Sequence, residues 1–287
     1  MSRQAYVNGR FLRHAEAGVS IEDRGYQLGD GVYEVWAVMG GKLADAEGHF
    51  ARLERSLGEL GVAMPMSRAA LTVALRETVR RNRVREGLVY LQVTRGVARR
   101  DHAFPVGEVT PTVVITARSS DPRIAEAKAA AGVSVITTPE NRWGRCDIKT
   151  VNLLPNVLAK QAARSQGAFE AWFVGDDGLV TEGASSNAWI VDQDGVLRTR
   201  DTGANILRGV TRLSLIDVAR QAGYRVEERP FTVAEAKAAR EAFVTGAGAL
   251  VMPVVRIDDT PVANGHPGEV ASALRALYIQ RAVQTAV

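Results

Sequence analysis

Lys149 stands directly after Ile148 and before Thr150, Val151 and, past Asn152, the pair Leu153-Leu154. That setting is more like a strand end than a solvated helix face. Partial burial there disfavours an ammonium, and a neutral amine can attack a carbonyl carbon to form an imine. The rival is Lys160, on a helical Val157-Leu-Ala-Lys-Gln-Ala-Ala pattern whose expected place for it is a solvated face. Three further stretches carry residue types that could do chemistry. Glu182 sits in a turn-rich run, Thr181-Glu-Gly-Ala-Ser-Ser-Asn, and Arg52 falls one residue from Leu53, near the edge of a helix's buried face. Gly209-Val210-Thr211 opens a helical pattern, so its amides and the Thr211 hydroxyl can receive an anion at the positive end of the helix dipole.

Composition narrows the chemistry. The chain has 287 residues, 46% hydrophobic and 24% charged, which excludes disorder and collagen and allows one large or two medium domains. Its formal net charge of +4 is spread among interspersed acids and bases, so small anionic ligands are expected but no nucleic-acid patch. One cysteine, Cys146, rules out an intramolecular disulfide, and with four His the chain offers no metal-ligand spacing. The opening Met-Ser-Arg-Gln-Ala-Tyr has no apolar signal core and no run of eighteen apolar residues occurs, so a cytoplasmic, unanchored protein is expected.

The elements that must position these groups follow from periodicity. Asn8-Gly9 between short apolar stretches predicts a hairpin, and a glycine-rich turn from Asp23 leads into a strand over Val32 to Val38 with Tyr33, Val35 and Ala37 on one face. Phe50, Leu53, Leu57 and Leu60 recur at helical spacing, and a second helix follows, capped by Ser67. Strands over Leu88 to Thr94 and Thr112 to Ala117 flank a long connection containing Arg99-Arg-Asp-His-Ala-Phe-Pro. Ser119-Ser-Asp-Pro-Arg reads as a linker over 119–123, between a domain at 1–118 and one at 124–287. In the second part, helices are expected near Ile124 to Ala131, Pro155 to Gln166, Gly209 to Ala222, after Thr232 and after Pro267. Strands are expected at Val133 to Thr137, Ala171 to Val174, Ala188 to Val191 and Ala242 to Thr245, the last ending in Gly246-Ala-Gly. Mixed strands and helices in both halves give an α/β (α+β) chain.

Five motifs, in order, carry a resemblance: Gly29-Asp-Gly-Val-Tyr-Glu-Val, His49-Phe-Ala-Arg-Leu, Asp147-Ile-Lys-Thr-Val-Asn-Leu-Leu, Thr181-Glu-Gly-Ala-Ser-Ser-Asn and Ile206-Leu-Arg-Gly-Val-Thr-Arg. Together they resemble the fold type IV class of pyridoxal-phosphate enzymes, and within it the D-amino-acid transaminases. The resemblance implies a small N-terminal α/β domain and a larger C-terminal domain with pyridoxal 5'-phosphate between them. It implies that Lys149 is the Schiff-base and proton-shuttle residue, that Glu182 keeps the pyridine nitrogen protonated, and that Arg52, Gly209, Val210, Thr211, Gly246 and Ala247 hold the phosphate. Ala247 stands where the family commonly has threonine, which implies a less firmly held cofactor.

The same resemblance assigns Tyr33, Arg100 and His102 to the substrate carboxylate, the latter two reaching in from a neighbouring subunit. A homodimer with shared active sites is therefore expected, acting on D-amino acids and 2-oxo acids and on no nucleic acid or membrane. The Tyr-Glu-Gly-Ile-Arg pattern of branched-chain relatives is absent after Gly31, where the chain reads Val-Tyr-Glu-Val-Trp. Branched-chain L-amino-acid or (R)-amine transamination, and an aminodeoxychorismate lyase, remain alternatives because they share Lys149, Arg52 and Glu182. A non-catalytic binding protein on this fold would need neither the lysine nor the ring carboxylate.

Overall fold

The structure is a computed structural model that describes residues 3–203 and 205–287. Its contacts fall into two compact units, one formed by 1–121, 148–152 and 285–287 and the other by 122–147 and 153–284. Lys149 thus belongs to the first unit, whereas its place in the sequence put it in the second.

The first unit comprises β1 (Gln4–Val7), β2 (Arg10–Arg13), α1 (Arg24–Leu28), β3 (Gly31–Met39), β4 (Lys42–Leu43), α2 (Ala46–Glu59), α3 (Arg68–Arg81), β5 (Gly87–Thr94) and β6 (Thr112–Ser119). The strands form one antiparallel sheet in the order β2-β1-β6-β5-β3-β4. Asn8 and Gly9 both take positive φ, 44° and 89°, as a two-residue hairpin turn requires. On β3 the period-2 alternation turns Val32, Trp36 and Val38 into the core, where Phe50, Leu53 and Leu57 of α2 and Leu71, Leu75 and Val79 of α3 meet them. Ser67 caps α3 by accepting from the Ala70 amide at 3.2 Å. That alternation also sends Glu34 into the same core, fully buried.

The second unit comprises α4 (Pro122–Ala131), β7 (Val133–Pro139), α5 (Leu154–Ser165), β8 (Glu170–Val174), β9 (Val180–Gly183), β10 (Asn187–Val191), β11 (Leu197–Thr199), α6 (Val210–Gln221), β12 (Val226–Glu228), α7 (Val233–Lys237), β13 (Glu241–Gly246), β14 (Leu250–Ile257), β15 (Thr260–Pro261) and α8 (Glu269–Thr285). Its mixed sheet runs β12-β11-β10-β13-β14-β7-β8-β9, with β15 on β14. Leu250–Ile257, to which the sequence reading assigns no element, is a strand between β13 and β7. Pro253 argues against a central strand, but pairing with β7 starts only at Val254, beyond it. Ala159 and Ala163 of α5 pack on Ile136, Ala171 and Phe173, while Leu154, Val157 and Leu158 of the same helix are 65%, 57% and 59% exposed. No helix among the described residues is long and apolar enough to cross a membrane.

Candidate active site

The Lys149 stretch makes no strand of its own. It is stitched to the start of β3: the Tyr33 amide donates to the Lys149 carbonyl at 3.0 Å, and the Val151 amide donates to the Gly31 carbonyl at 3.1 Å. Ile148, beside it, is part of the first unit's core. An apolar anchor on one side and a backbone ladder on the other hold the lysine between them. Its Nζ lies over the Tyr33 ring, 4.2 Å from the centroid. Tyr33 stacks on Tyr90 with ring centroids 5.6 Å apart, because the β3–β5 register sets Tyr33 opposite Gln92 and Val35 opposite Tyr90. The Tyr90 hydroxyl donates to Gln92 Oε1 at 2.7 Å. Burial, with Tyr33 adding to it, pushes the Tyr90 phenol above its ordinary range, so it remains a neutral donor.

Arg52 is held by a carboxylate. Its Nε and Nη2 donate to Glu34 Oε1 and Oε2 at 2.7 and 2.8 Å, while His49 Nδ1 meets Glu34 Oε2 at 2.7 Å. His49 and Arg52 are three apart on α2, one turn of helix, and so reach the same buried acid. Burial alone would raise the Glu34 carboxyl, but Arg52, by charge and hydrogen bond, and then His49 hold it down at about 2. Burial lowers His49 against the pull of Glu34, so the imidazole is neutral at pH 7 and donates Nδ1–H.

In the second unit Glu182 is 4% exposed and its carboxylate is fixed from several sides. Arg142 Nη1 donates to Oε1 at 2.5 Å, the Leu207 amide to Oε1 at 3.0 Å and Asn187 Nδ2 to Oε2 at 3.0 Å. Asn187 also donates to the Leu207 carbonyl at 3.0 Å, so one acid and one amide grip the residue two before Gly209. Arg142 also binds Glu140 and lies over the Phe173 ring at 4.5 Å. Burial would lower the Arg142 guanidinium, but the bond to Glu140 and the charge of Glu182 prevail and raise it.

Gly209 caps α6 with extended backbone, φ −61° and ψ 131°, and offers no side-chain acceptor. A Cβ there would lie 1.9 Å from Asn187 Oδ1, so the glycine is required by this close approach. Val210 and Thr211 follow in the first turn, both 4% exposed. Gly246 ends β13 against the Ser185 carbonyl, which an added Cβ would meet at 3.2 Å. Thr245 Oγ1 is taken by Trp189 Nε1 at 3.0 Å, and Ala247 brings no hydroxyl. Ser185 and Ser186 are tied to buried Glu170, which accepts from their hydroxyls at 2.7 and 3.0 Å. Lys160 Nζ lies 3.3 Å from Glu170 and donates to the Phe169 carbonyl at 2.8 Å, so this lysine has a structural partner.

Arg100 and His102 lie exposed on the β5–β6 connection of the first unit. The structure therefore gathers Tyr33 with Lys149, and Arg52 with Glu34 and His49, in one unit. It gathers Glu182 with the start of α6, and Gly246 with Ser185, in the other. Among the described residues no group of three or more His, Cys, Asp or Glu is arranged to hold a metal. Sequence reasoning missed Arg142, Asn187, Glu34 and His49 as members of these clusters. Glu34 had a usable signal, a carboxylate on the apolar phase of a strand; Arg142 had none, since it stands in an irregular segment.

In the first unit an amine lies over an aromatic ring, and in the second an oriented carboxylate accompanies a glycine-capped helix start, whose first-turn amides suit an anion such as a phosphate. Residues 31–257 match the family model described as amino-transferase class IV. The chain is 42% identical over 280 residues to the D-alanine aminotransferase of Bacillus licheniformis, covering 98% of this chain and 95% of that protein. In fold it is similar to the branched-chain amino acid aminotransferase of Escherichia coli, with a TM-score of 0.90 at 23% identity over 98% of this chain and 95% of the other. It is also similar to a second branched-chain amino acid aminotransferase, solved with pyridoxamine 5'-phosphate, with a TM-score of 0.87 at 28% identity, covering 98% and 94%. Matched by that model over most of its length, and 42% identical to a D-alanine aminotransferase over 98% of its length, the chain belongs to the class IV amino-transferases.

Proposed function

We propose that the protein transfers the amino group of a D-amino acid such as D-alanine to a 2-oxo acid such as pyruvate or 2-oxoglutarate, with pyridoxal 5'-phosphate as cofactor. The observation that carries this reading is the placement of Lys149, pinned through its own carbonyl to β3 with its amine over the Tyr33 ring. When bound, the cofactor supplies an electron sink for the bond electrons released at the substrate's Cα. Lys149 would hold the cofactor through its side-chain amine and, once freed, would move the proton at the substrate's Cα. Glu182 would keep the ring nitrogen protonated, and Arg142 and Asn187, which donate to its carboxylate, keep it oriented. Arg52, its guanidinium plane set by Glu34, would hold the phosphate, as would the amides of Val210 and Thr211, the Thr211 hydroxyl and the backbone of Gly246-Ala247.

Stereochemistry follows from the fixed amine. The Cα–H bond must point at Lys149 Nζ for either enantiomer, so exchanging D for L swaps the carboxylate with the side chain. Tyr33 and, from a second copy of the chain, Arg100 and His102 receive the carboxylate of the D form. Two features support a homodimer: Arg100 and His102 make no hydrogen bond or ion pair within the described residues, and Tyr26, Phe104 and Val106 are 73%, 63% and 105% exposed. The lone free thiol, Cys146, supports a reducing compartment, the cytoplasm.

The test is an absorbance titration of the yellow holoenzyme with D- and L-alanine. Conversion to the amine form of the cofactor with the D enantiomer alone is expected. Equal or better turnover of L-valine or (R)-1-phenylethylamine would overturn the D-amino-acid assignment.

A further inference from the structure

Beside the loop that carries Arg100 and His102 lies a buried charge cluster that the reaction does not use. Arg24, 2% exposed, donates from Nε to Asp30 Oδ2 at 2.8 Å. Arg95, 8% exposed, donates to the same carboxylate from Nε at 2.7 Å and from Nη2 at 3.1 Å. Burial would raise the Asp30 carboxyl, but the bonds from Arg95 and Arg24 outweigh it and lower it, so the acid stays ionised between its two cations. Arg24 Nη1 donates to the main-chain carbonyl of Asp101 at 2.7 Å.

That single bond reaches 77 residues along the chain to the peptide between the two proposed carboxylate-binding residues. It fixes the plane of the Asp101–His102 peptide. The Asp101 side chain in turn caps the Ala103 amide at 3.2 Å, and Phe104 lies under the Arg95 guanidinium, 3.8 Å from its ring centroid. The loop is gripped at Asp101 and at Phe104 by arginines that share one carboxylate, while the side chains of Arg100 and His102 are left to project.

We infer that Arg24 is a positioning residue for the substrate carboxylate, acting through the Asp101 carbonyl to set the directions of Arg100 and His102. The inference rests on the reading of Arg100 and His102 as carboxylate-binding groups. A guanidinium is needed here because it bridges a carboxylate and a carbonyl in one plane, whereas an ammonium is a point donor on a flexible stem.

The experiment is steady-state kinetics of the holoenzyme as Arg24→Lys, Arg100→Ala and the double variant, with D-alanine as donor. Arg24→Lys is expected to raise KM roughly tenfold with kcat changed less than about threefold, and to leave the cofactor's absorbance spectrum as it was. In the double variant KM should exceed that of Arg100→Ala alone by less than about twofold, since a residue acting through another is non-additive with it. An unaltered KM in Arg24→Lys, or effects that simply multiply in the double variant, overturns the inference while leaving the carboxylate reading standing. An unaltered KM in Arg100→Ala overturns that reading itself, and the inference with it. Arg24→Gln, whose planar amide can still donate, provides a second route if Arg24→Lys does not fold: a KM rise of about threefold, absent in the Arg100→Ala background, is expected, and no rise overturns the inference.

Discussion

Arg142 and Glu182 form a buried ion pair, Nη1 to Oε1 at 2.5 Å, with side chains only 6% and 5% exposed. Glu140 shares the same guanidinium at 2.6 Å. Removing one partner of such a pair leaves charge buried without compensation, at a cost of about 3–5 kcal/mol. Arg142→Met should therefore lower the urea midpoint markedly and depress kcat more than it alters KM, because Glu182 loses its orientation. An unchanged midpoint would show that the two acids find other partners.

Lys149 and Lys160 are separated by their surroundings. Lys149 is expected to be the residue fixed to the cofactor by borohydride, and Lys149→Ala should abolish that attachment. Lys160→Met should retain it and instead loosen the Glu170 cluster that holds Ser185 and Ser186. Peptide mapping of the reduced protein decides the matter, and label on Lys160 would reverse the assignment.

The Glu34 carboxyl is depressed from 4.5 to about 2 by Arg52 and His49 against its burial. A depressed carboxyl stabilises the fold above its unfolded pKa, and that contribution is lost as pH falls through the folded value. The stability gap between the natural protein and Glu34→Gln should therefore be full at pH 6, on the order of 3 kcal/mol. It should close between pH 4.5 and about 2. Denaturant melts across that range test it; a gap independent of pH would mean that Glu34 contributes by packing alone.

Ala247 follows a glycine packed against Ser185 and, at the proposed phosphate site, brings no hydroxyl. Ala247→Thr adds one donor, and a hydrogen bond to a charged group is worth ~1.5–3 kcal/mol. Loss of cofactor during dialysis with amino donor should slow by roughly tenfold or more. An identical rate would show that the amides of α6 and of Gly246 already suffice.

Much of this was legible because its causes are local. The Asn8-Gly9 turn, the alternation on β3, the helical spacing of Phe50, Leu53 and Leu57, and the Ser67 cap each depend on residues a few positions apart. The resemblance carried by short motifs, rather than any spacing between them, is what named Lys149, Glu182 and Gly209 together as expected site residues. What only the tertiary structure decided depends on pairing over long separations. The chain around Lys149 continues into the second unit, yet hydrogen bonds to Gly31 and Tyr33 make the lysine part of the first. Leu250–Ile257 became a strand despite Pro253 because its neighbour starts beyond the proline. Arg142, Asn187 and Arg24 acquire roles only where Glu182, Leu207 and Asp101 are brought to them, 40, 20 and 77 residues away in sequence. A buried charge or amide is costly until its partner arrives, and no local pattern records which partner that will be.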